Sequence, residues 1–297
     1  MVIPNSFVGF IYGIYVLFFL TSCVKEVSYS GNDNPFPVCN AFISPDRGLT
    51  VHLSYSANII GTVSIFDGAV IDVYENGMLI PVDFSEDNGL YCSDFQPVFG
   101  KVYSIDVWKD GIKLLSACDT VPGEVIIKNP TWQFPFGMMD EWTTAGLVSF
   151  SFSDDQQCKN FYEIMLAHRS YDDVLEYLAC MEINNEFVSS NTDRSWEDIK
   201  SFVFSDSLFQ GKTVEIQIKV QGTSKDNPPF VVLRNVSKSY YQYRRQWTAH
   251  QFLQSRERTV DLSFFRGEPI NMFSNINGGL GIFVAYSQDI KECRIIQ

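Results

Sequence analysis

The chain has 297 residues, 45% of them hydrophobic and 15% aromatic, the make-up of a packed globular protein rather than a disordered one. Its formal net charge is −13 at pH 7, from 22 Lys and Arg against 35 Asp and Glu. That balance argues against nucleic acid and anionic lipid headgroups as ligands, because their phosphates would approach a surface of their own sign.

The opening segment carries the clearest signal. An apolar run from Phe7 to Leu20 is 14 residues long, shorter than the roughly 20 that a membrane-spanning helix needs, and it leads into Leu20-Thr21-Ser22-Cys23. Small residues before a cysteine form the cleavage box of an exported lipoprotein. Residues 1–22 therefore read as a signal peptide and Cys23 as the lipidated first residue of the mature chain. An uncleaved anchor helix is the alternative. No Lys or Arg precedes Cys23, which departs from the positively charged start of most export signals. Acyl chains at Cys23 would contribute about 0.8 kcal/mol per buried methylene, and several together give stable anchoring. Residues 23–35, rich in Ser, Gly, Asn and Asp, read as a tether.

From residue 36 to about 127 the chain reads as seven to nine short strands. His52, Ser54 and Ser56 alternate with Val51, Leu53 and Tyr55, the period of a half-buried strand. Asn76-Gly77 and Asp110-Gly111 sit between apolar runs, as type I′ hairpin turns do. This spacing predicts a β-sandwich of immunoglobulin-like or transthyretin-like type, with a domain boundary near residue 128. Strands are then expected at Gly146–Phe152, Asn160–His168, Phe202–Phe204, Thr213–Gln221 and Leu280–Tyr286, giving residues 128–297 as a second β-rich domain. One helix interrupts them, capped by Ser237 and running to about Arg256, with Tyr240, Tyr243, Trp247 and Gln251 on one face. That face packs on the sheet or forms a partner-binding stripe.

Setting Cys23 aside leaves Cys39, Cys92, Cys118, Cys158, Cys180 and Cys293. Six cysteines allow 15 pairings, of which Cys158 with Cys180 is the candidate disulfide; buried free thiols are the alternative. With no Cys-x-x-Cys and three scattered histidines, His52, His168 and His250, a zinc site is not expected. Asp83, Glu86, Asp87 and Asn88 offer oxygen ligands but lack the spacing of an EF-hand loop. The pairs Asp154-Asp155 and Asp172-Asp173 read as solvated loops, since neighbours on a strand face opposite ways and rarely meet over one substrate. There is no Gly-x-Ser-x-Gly elbow, His-Glu-x-x-His helix or phosphate-binding loop. Asn277-Gly278-Gly279-Leu280-Gly281 precedes an apolar strand and reads as a tight turn. Together these features predict a non-enzymatic protein with no cofactor and no metal. Trp132, Trp142 and Trp196 lie in loop-like stretches, as ligand platforms or as core residues.

The stretch Phe273 to Phe283 resembles the closing SNI-x-GG-x-GIF signature of Bacteroidetes lipoproteins in the domain of unknown function 4249 family. Val38 to Ser44, Gly68-Ala69-Val70 with Asn76-Gly77, Gly89-Leu90-Tyr91, Gly100 with Tyr103, and Asp119 to Pro122 resemble its N-terminal sandwich. Phe152-Ser153-Asp154 with Phe161-Tyr162, Phe204-Ser205-Asp206 with Gly211-Lys212, and Val236-Ser237 with Tyr240-Tyr241 resemble its second part. Cys39 stands where relatives tend to carry an acid. The resemblance implies a lipid-anchored outer-membrane protein, its membrane lipid attached through Cys23, often encoded beside TonB-dependent transporters and without assigned catalytic residues. A non-enzymatic accessory binding subunit of such a transporter is the expected function. A structural or adhesive envelope protein is the rival.

Overall fold

The computed structural model describes residues 35–57, 63–138, 141, 144–170, 172, 174–178, 180–183, 185, 201–221, 225–259 and 271–296. The expected signal peptide, Cys23 and nearly all of the expected tether lie outside them, as do Trp142, Trp196 and Asp173. Nine of the described strands precede residue 121: β1 (Pro37–Ser44), β2 (Gly48–Tyr55), β3 (Ser64–Ile65), β4 (Val70–Glu75), β5 (Met78–Ile80), β6 (Ser85–Asp87), β7 (Leu90–Ser93), β8 (Val102–Lys109) and β9 (Ile112–Thr120). Then follow β10 (Lys128–Gln133), β11 (Ala145–Ser153), β12 (Phe161–Arg169), β13 (Leu175–Tyr177), β14 (Cys180–Ile183), β15 (Phe202–Ser205), β16 (Thr213–Gln221) and β17 (Phe230–Val236). Helix α1 (Lys238–Thr259), β18 (Leu280–Glu292) and β19 (Arg294–Ile296) complete the described chain. The protein is mainly β, as its composition and alternation predict.

Asn76-Gly77 joins β4 to β5 and Asp110-Gly111 joins β8 to β9, each pair at positive φ, as the type I′ reading requires. A third turn of the same kind, Asn88-Gly89, joins β6 to β7. The carboxylates of the oxygen-rich stretch are thereby spread along an edge strand: Glu86 accepts from the Gly68 amide at 3.4 Å, and Asp87 from the Asn88 side chain at 2.8 Å.

Three sheets build the fold. The largest runs β13-β12-β17-β18-β1-β2-β7-β6, with β15 added on β12 and β3 on β2. A four-stranded sheet, β5-β4-β8-β9, and a five-stranded sheet, β14-β16-β11-β10-β19, cover it. Inward residues of β1, β2 and β7, among them Cys39, Ala41, Val51, Leu53 and Tyr91, interleave with Val73, Tyr103, Ile105 and Leu115 of the small sheet to form one core. A second core joins Tyr162, Ile164, Leu166, Val231 and Leu233 of the large sheet to Trp132, Phe150, Phe152, Ile216 and Ile218 of the five-stranded one. These are two β-sandwiches side by side on one large sheet.

The strand that unites them is β18. Its 13 residues extend about 43 Å. Leu280 to Ala285 pair in parallel with β1, and Tyr286 to Glu292 pair antiparallel with β17. Phe283 and Ala285 enter the first core, while Ile282, Val284 and Tyr286 point the other way, into a cluster with Phe161, Val236 and Tyr240 under α1. Thus β18 completes both sandwiches, and residues Pro35–Gln297 form one compact unit. The two cores change over between Val121 and Val125, while β18 returns from the second half to finish the first. The intervening segment crosses the sheet held by polar side chains. Asn235 and Ser287 donate to the Gly123 carbonyl at 3.0 and 2.7 Å, and Asp289 accepts from the Ile127 amide at 2.7 Å.

The closing signature is a backbone clasp. The Asn275 side chain donates to the Phe283 carbonyl at 2.7 Å and accepts from its amide at 2.9 Å, standing in for a neighbouring strand. Asn277 exchanges two backbone hydrogen bonds with Ser116 of β9, at 2.8 and 3.1 Å. Among the described residues no helix is long and apolar enough to cross a membrane.

Candidate functional site

Helix α1 lies on the outer face of the large sheet, over the place where β18 passes from β1 to β17. Ser237 caps it as predicted: its hydroxyl accepts from the Tyr240 amide at 3.1 Å and donates to Asp119 at 2.5 Å. Tyr240 is buried, Tyr243 half-buried, and Trp247 exposed beside it. The aromatic stripe therefore meets the cluster on the sheet through Tyr240 and Tyr243 and leaves it by Trp247.

A different stripe of the helix makes an open groove. Lys238, Tyr241, Gln242, Arg245, Gln246 and Ala249 share one face at helical spacing; Lys159 and Phe161 at the start of β12, with Phe273, form the opposite wall. The groove holds about 460 Å³. Phe161 stacks on Tyr241 with ring centroids 4.5 Å apart. Lys159 lies 5.7 Å from the Phe161 ring and Arg245 5.6 Å from the Tyr241 ring, both at cation–π range. Gln246 accepts a short hydrogen bond from the Phe273 amide, tying the two walls. Among the described residues that line the groove are three cations, Lys159, Lys238 and Arg245, and no carboxylate.

Beneath α1 sits a buried charged cluster. Glu163 of β12 is 1% exposed and meets Arg234 of β17 at 3.1 Å and Arg244 of the helix at 3.2 Å. Tyr240 donates to the same carboxylate at 2.6 Å, and Arg244 donates to Ser201 at 2.7 Å. Burial alone would raise the Glu163 carboxyl; the two guanidiniums, with hydrogen bonds from Tyr240 and Ser201, outweigh it and hold the group below its ordinary value. Burial, then the Glu163 charge, push the Tyr240 hydroxyl up, so it donates as a neutral phenol. Among the described residues, two arginines face one glutamate on the sheet side of the helix that walls the groove.

Asp119, at the end of β9, ties the helix cap to β18. It accepts from Ser237, from the Thr120 amide at 2.8 Å and from the Ala285 amide at 3.0 Å. Burial outweighs these donors and raises its carboxyl from 3.8 to about 6. Ionisation is thus harder in the folded chain than in the unfolded one. The stability from this group is complete below about pH 4, falls as pH rises towards 6, and levels above, a change on the order of 3 kcal/mol. We expect Asp119→Asn to remove that part of the slope. Thermal melts of both proteins at intervals between pH 4 and 7 check it, and parallel pH profiles would contradict it.

The structure places the other predicted residues apart from this site. Cys158 is a free, exposed thiol in the turn before β12. Asp154, close by in that turn, bonds the Lys212 carbonyl just before β16, whereas Cys180 opens β14 opposite Val220 near the far end of β16. Those ends lie about 26 Å apart along the strand, and a disulfide needs Cα atoms within about 7 Å, so Cys158 and Cys180 are not bridged. Trp132 is no platform; it is fully buried in the second core. Asp154 is likewise no solvated loop residue. At 8% exposure it accepts from Tyr162 at 2.6 Å, from the Asn160 side chain at 3.2 Å and from the Gly211 amide at 2.7 Å, while its neighbour Asp155 is exposed. Asp172 is exposed in a turn. His52 is on β2, His168 on β12 and His250 on α1. Cys39 and Cys293 are buried thiols that desolvation pushes up to about 12, which leaves them unreactive.

The residues of the groove come from three separated segments, so no local pattern in the sequence marks it. One signal was available: from Lys238 to Arg256 the helix contains no acid, while carrying Lys238, Arg244, Arg245 and Arg256. A family model described as Domain of unknown function (DUF4249) matches residues 24–292, most of the chain. No curated protein matches it.

Proposed function

Because the chain belongs to the domain of unknown function 4249 family, we propose that it is a lipid-anchored outer-membrane lipoprotein of Bacteroidetes type, a non-enzymatic accessory subunit that captures ligand for a TonB-dependent uptake system. The observation that carries the capture role is the α1 groove. Its described lining offers cations, amides and aromatic rings, so it is equipped to hold a ligand. The anchor rests on the apolar run and on Leu20-Thr21-Ser22-Cys23, followed by a tether of about a dozen residues before β1.

Two results test this reading. Cys23→Ala should move the protein out of the membrane fraction, since it removes the acylation site; a variant that stays with the membrane sinks the anchor. Mild-detergent purification of the tagged wild-type protein from its native membrane should bring down a TonB-dependent transporter in near-equal amount. Recovery alone, or with adhesin subunits, would replace the accessory role with a structural one.

A further inference from the structure

We propose that the end of the first sandwich at which β1 begins rests on the bilayer, its exposed apolar side chains entering the interfacial layer of the membrane that holds the acyl chains of Cys23. This rests on the anchor reading and gives the anchored protein its orientation. Strand pairing gathers the residues concerned. At the start of β1 the Phe36 carbonyl accepts from the Ser56 amide at 2.8 Å, Pro37 pairs with Tyr55, and Val38 pairs with Leu280. Tyr55 pairs in turn with Ser64 of β3, which puts Val63 and Ile65 at the same end. The small sheet brings its β8–β9 turn there. Lys109, opposite Ile112 and next to the Trp108 that pairs with Val70, lies 4.7 Å from the centre of the Phe66 ring, and that ring stacks on Tyr55. Phe36, Val63, Ile65, Val70, Ile112 and Leu280 are all exposed. From β18 through β1 and β2 to β3 is three strand spacings, about 14 Å, and the facing sheet stands about 10 Å away. Six exposed apolar side chains around an end of that size make a patch of the kind that marks a membrane or protein contact.

Reach selects the membrane and this end. Phe36 comes 13 residues after Cys23. A flexible chain of that length spans about 20 Å on average and at most about 45 Å. The opposite end of the sandwich also exposes apolar residues, Met78 and Leu79 beside the Asn76-Gly77 turn. That turn adjoins Val102, which pairs with Thr120, whose neighbour Asp119 bonds the Ala285 amide opposite Ile43 at the far end of β1. With eight residues in β1, the far end lies about 26 Å beyond the point where the chain joins the sandwich, more than the average span. Attachment through Cys23 also makes the near contact intramolecular, so an insertion too weak to hold a free protein on lipid is populated at the effective concentration, on the order of millimolar, that a short flexible linker supplies. The contact suits neutral lipid. Asp67 and Asp110 are exposed at this end, while Lys109 and Lys113 meet Asp67 and Asp106 at 3.6 and 2.7 Å, so anionic headgroups gain no attraction here. In this orientation the α1 groove stays open to solutes. It lies beside Val284 and Tyr286, about 20 Å along β18 from Leu280, beyond a headgroup layer of roughly 5–7 Å.

The test uses the full-length lipidated protein in phosphatidylcholine vesicles containing a small share of phosphatidylcholine with a photoreactive group near the headgroup. Cross-linked residues are mapped by mass spectrometry, which also reads the acylation of Cys23. Label should concentrate at Phe36, residues 63–70 and Ile112, and be absent from Met78 and Leu79. Val63→Asp with Ile112→Asp should lower it by about fivefold or more, since a carboxylate resists entering lipid, with an unchanged melting temperature because the two side chains are 64% and 63% exposed. Met78→Asp with Leu79→Asp, at positions 70% and 61% exposed, is the matched control and should leave it within about twofold. Replacing part of the phosphatidylcholine with phosphatidylglycerol should not raise it. The proposal is overturned if the far end is labelled as strongly, if the two double variants lower the label equally, or if the near end stays unlabelled, whether bare or covered by a second copy. Acylated Cys23 with an unlabelled near end would keep the anchor and remove the docking; a labelled near end with unacylated Cys23 would do the reverse.

Discussion

Glu163→Ala is expected to destabilise the protein by about 3–5 kcal/mol, lowering its melting temperature by roughly 6–15 °C. The size comes from what remains behind. Glu163 is 1% exposed, and its removal strands Arg234, whose side chain is 12% exposed, facing Arg244 with no carboxylate between them. Truncating one partner of a buried ion pair costs more than the pair itself contributes, because the surviving charge keeps its desolvation penalty and loses its compensation. Two surviving charges of the same sign add repulsion. Tyr240 also loses the acceptor of its 2.6 Å hydrogen bond, and a buried hydroxyl without a partner costs about 1–3 kcal/mol by itself. Glu163→Gln keeps the volume and one acceptor oxygen, so it should fall between wild type and Ala. The pH dependence has a definite sign: a carboxyl held below its ordinary 4.5 stabilises fully above that pH, and the contribution is lost as pH drops through the depressed folded value. Denaturant titrations of the three proteins at neutral pH measure the order. A cost below about 1 kcal/mol for Ala would mean that water reaches the arginines and that the cluster beneath the groove is not dry.

How much of this was readable beforehand depends on how local each signal is. Asn76-Gly77 and Asp110-Gly111 announce their hairpins because the turn conformation is decided by the two residues in it. Ser237 announces the helix for the same reason, its hydroxyl reaching an amide three residues on. Asn88-Gly89 carried an equal signal and was masked by the acids around it, which drew attention to oxygen ligands. Asp154 misled in the other direction. Its burial depends on Tyr162, Asn160 and Gly211, and Gly211 is 57 residues away. Trp132 looked loop-like because β10 is short and contains Pro130; only β11 and β19 on either side of it show a strand in a core. Least legible was β18. An apolar run from Leu280 to Tyr286 predicts a strand, but nothing near it says that its first half pairs with β1, some 240 residues earlier, and its second with β17. The groove inherits that difficulty, since its walls meet only once β12, β17 and β18 are side by side beneath α1.

Gly281→Ala is the second large effect expected, about 3 kcal/mol or more of lost stability. Gly281 has φ +109°, a conformation that residues with a Cβ rarely adopt, and a Cβ built there would lie 2.0 Å from the Cys39 carbonyl oxygen. The obstruction is backbone on the neighbouring strand, so no side-chain rotation relieves it; β18 must move away from β1. That movement cannot stay local. The next residues of β18 enter both the first core, through Phe283 and Ala285, and the cluster under α1, through Ile282 and Val284. The Asn275 clasp on Phe283 and the Asp119 bond to the Ala285 amide lie on the same few residues. A single methyl group therefore acts on both sandwiches and on the seat of the helix. Gly123→Ala is the control: a Cβ there meets nothing within 4 Å, and its φ is not in the left-handed range, so a change of less than about 0.5 kcal/mol is expected. Hydrogen exchange locates the effect. Amides of β1 and of Leu280 to Ala285 should lose protection in the Gly281 variant well before those of β11 and β16, which pair with each other in the other sheet. Protection lost evenly across the protein would mean that β18 is too tightly shared for the two sandwiches to loosen one at a time.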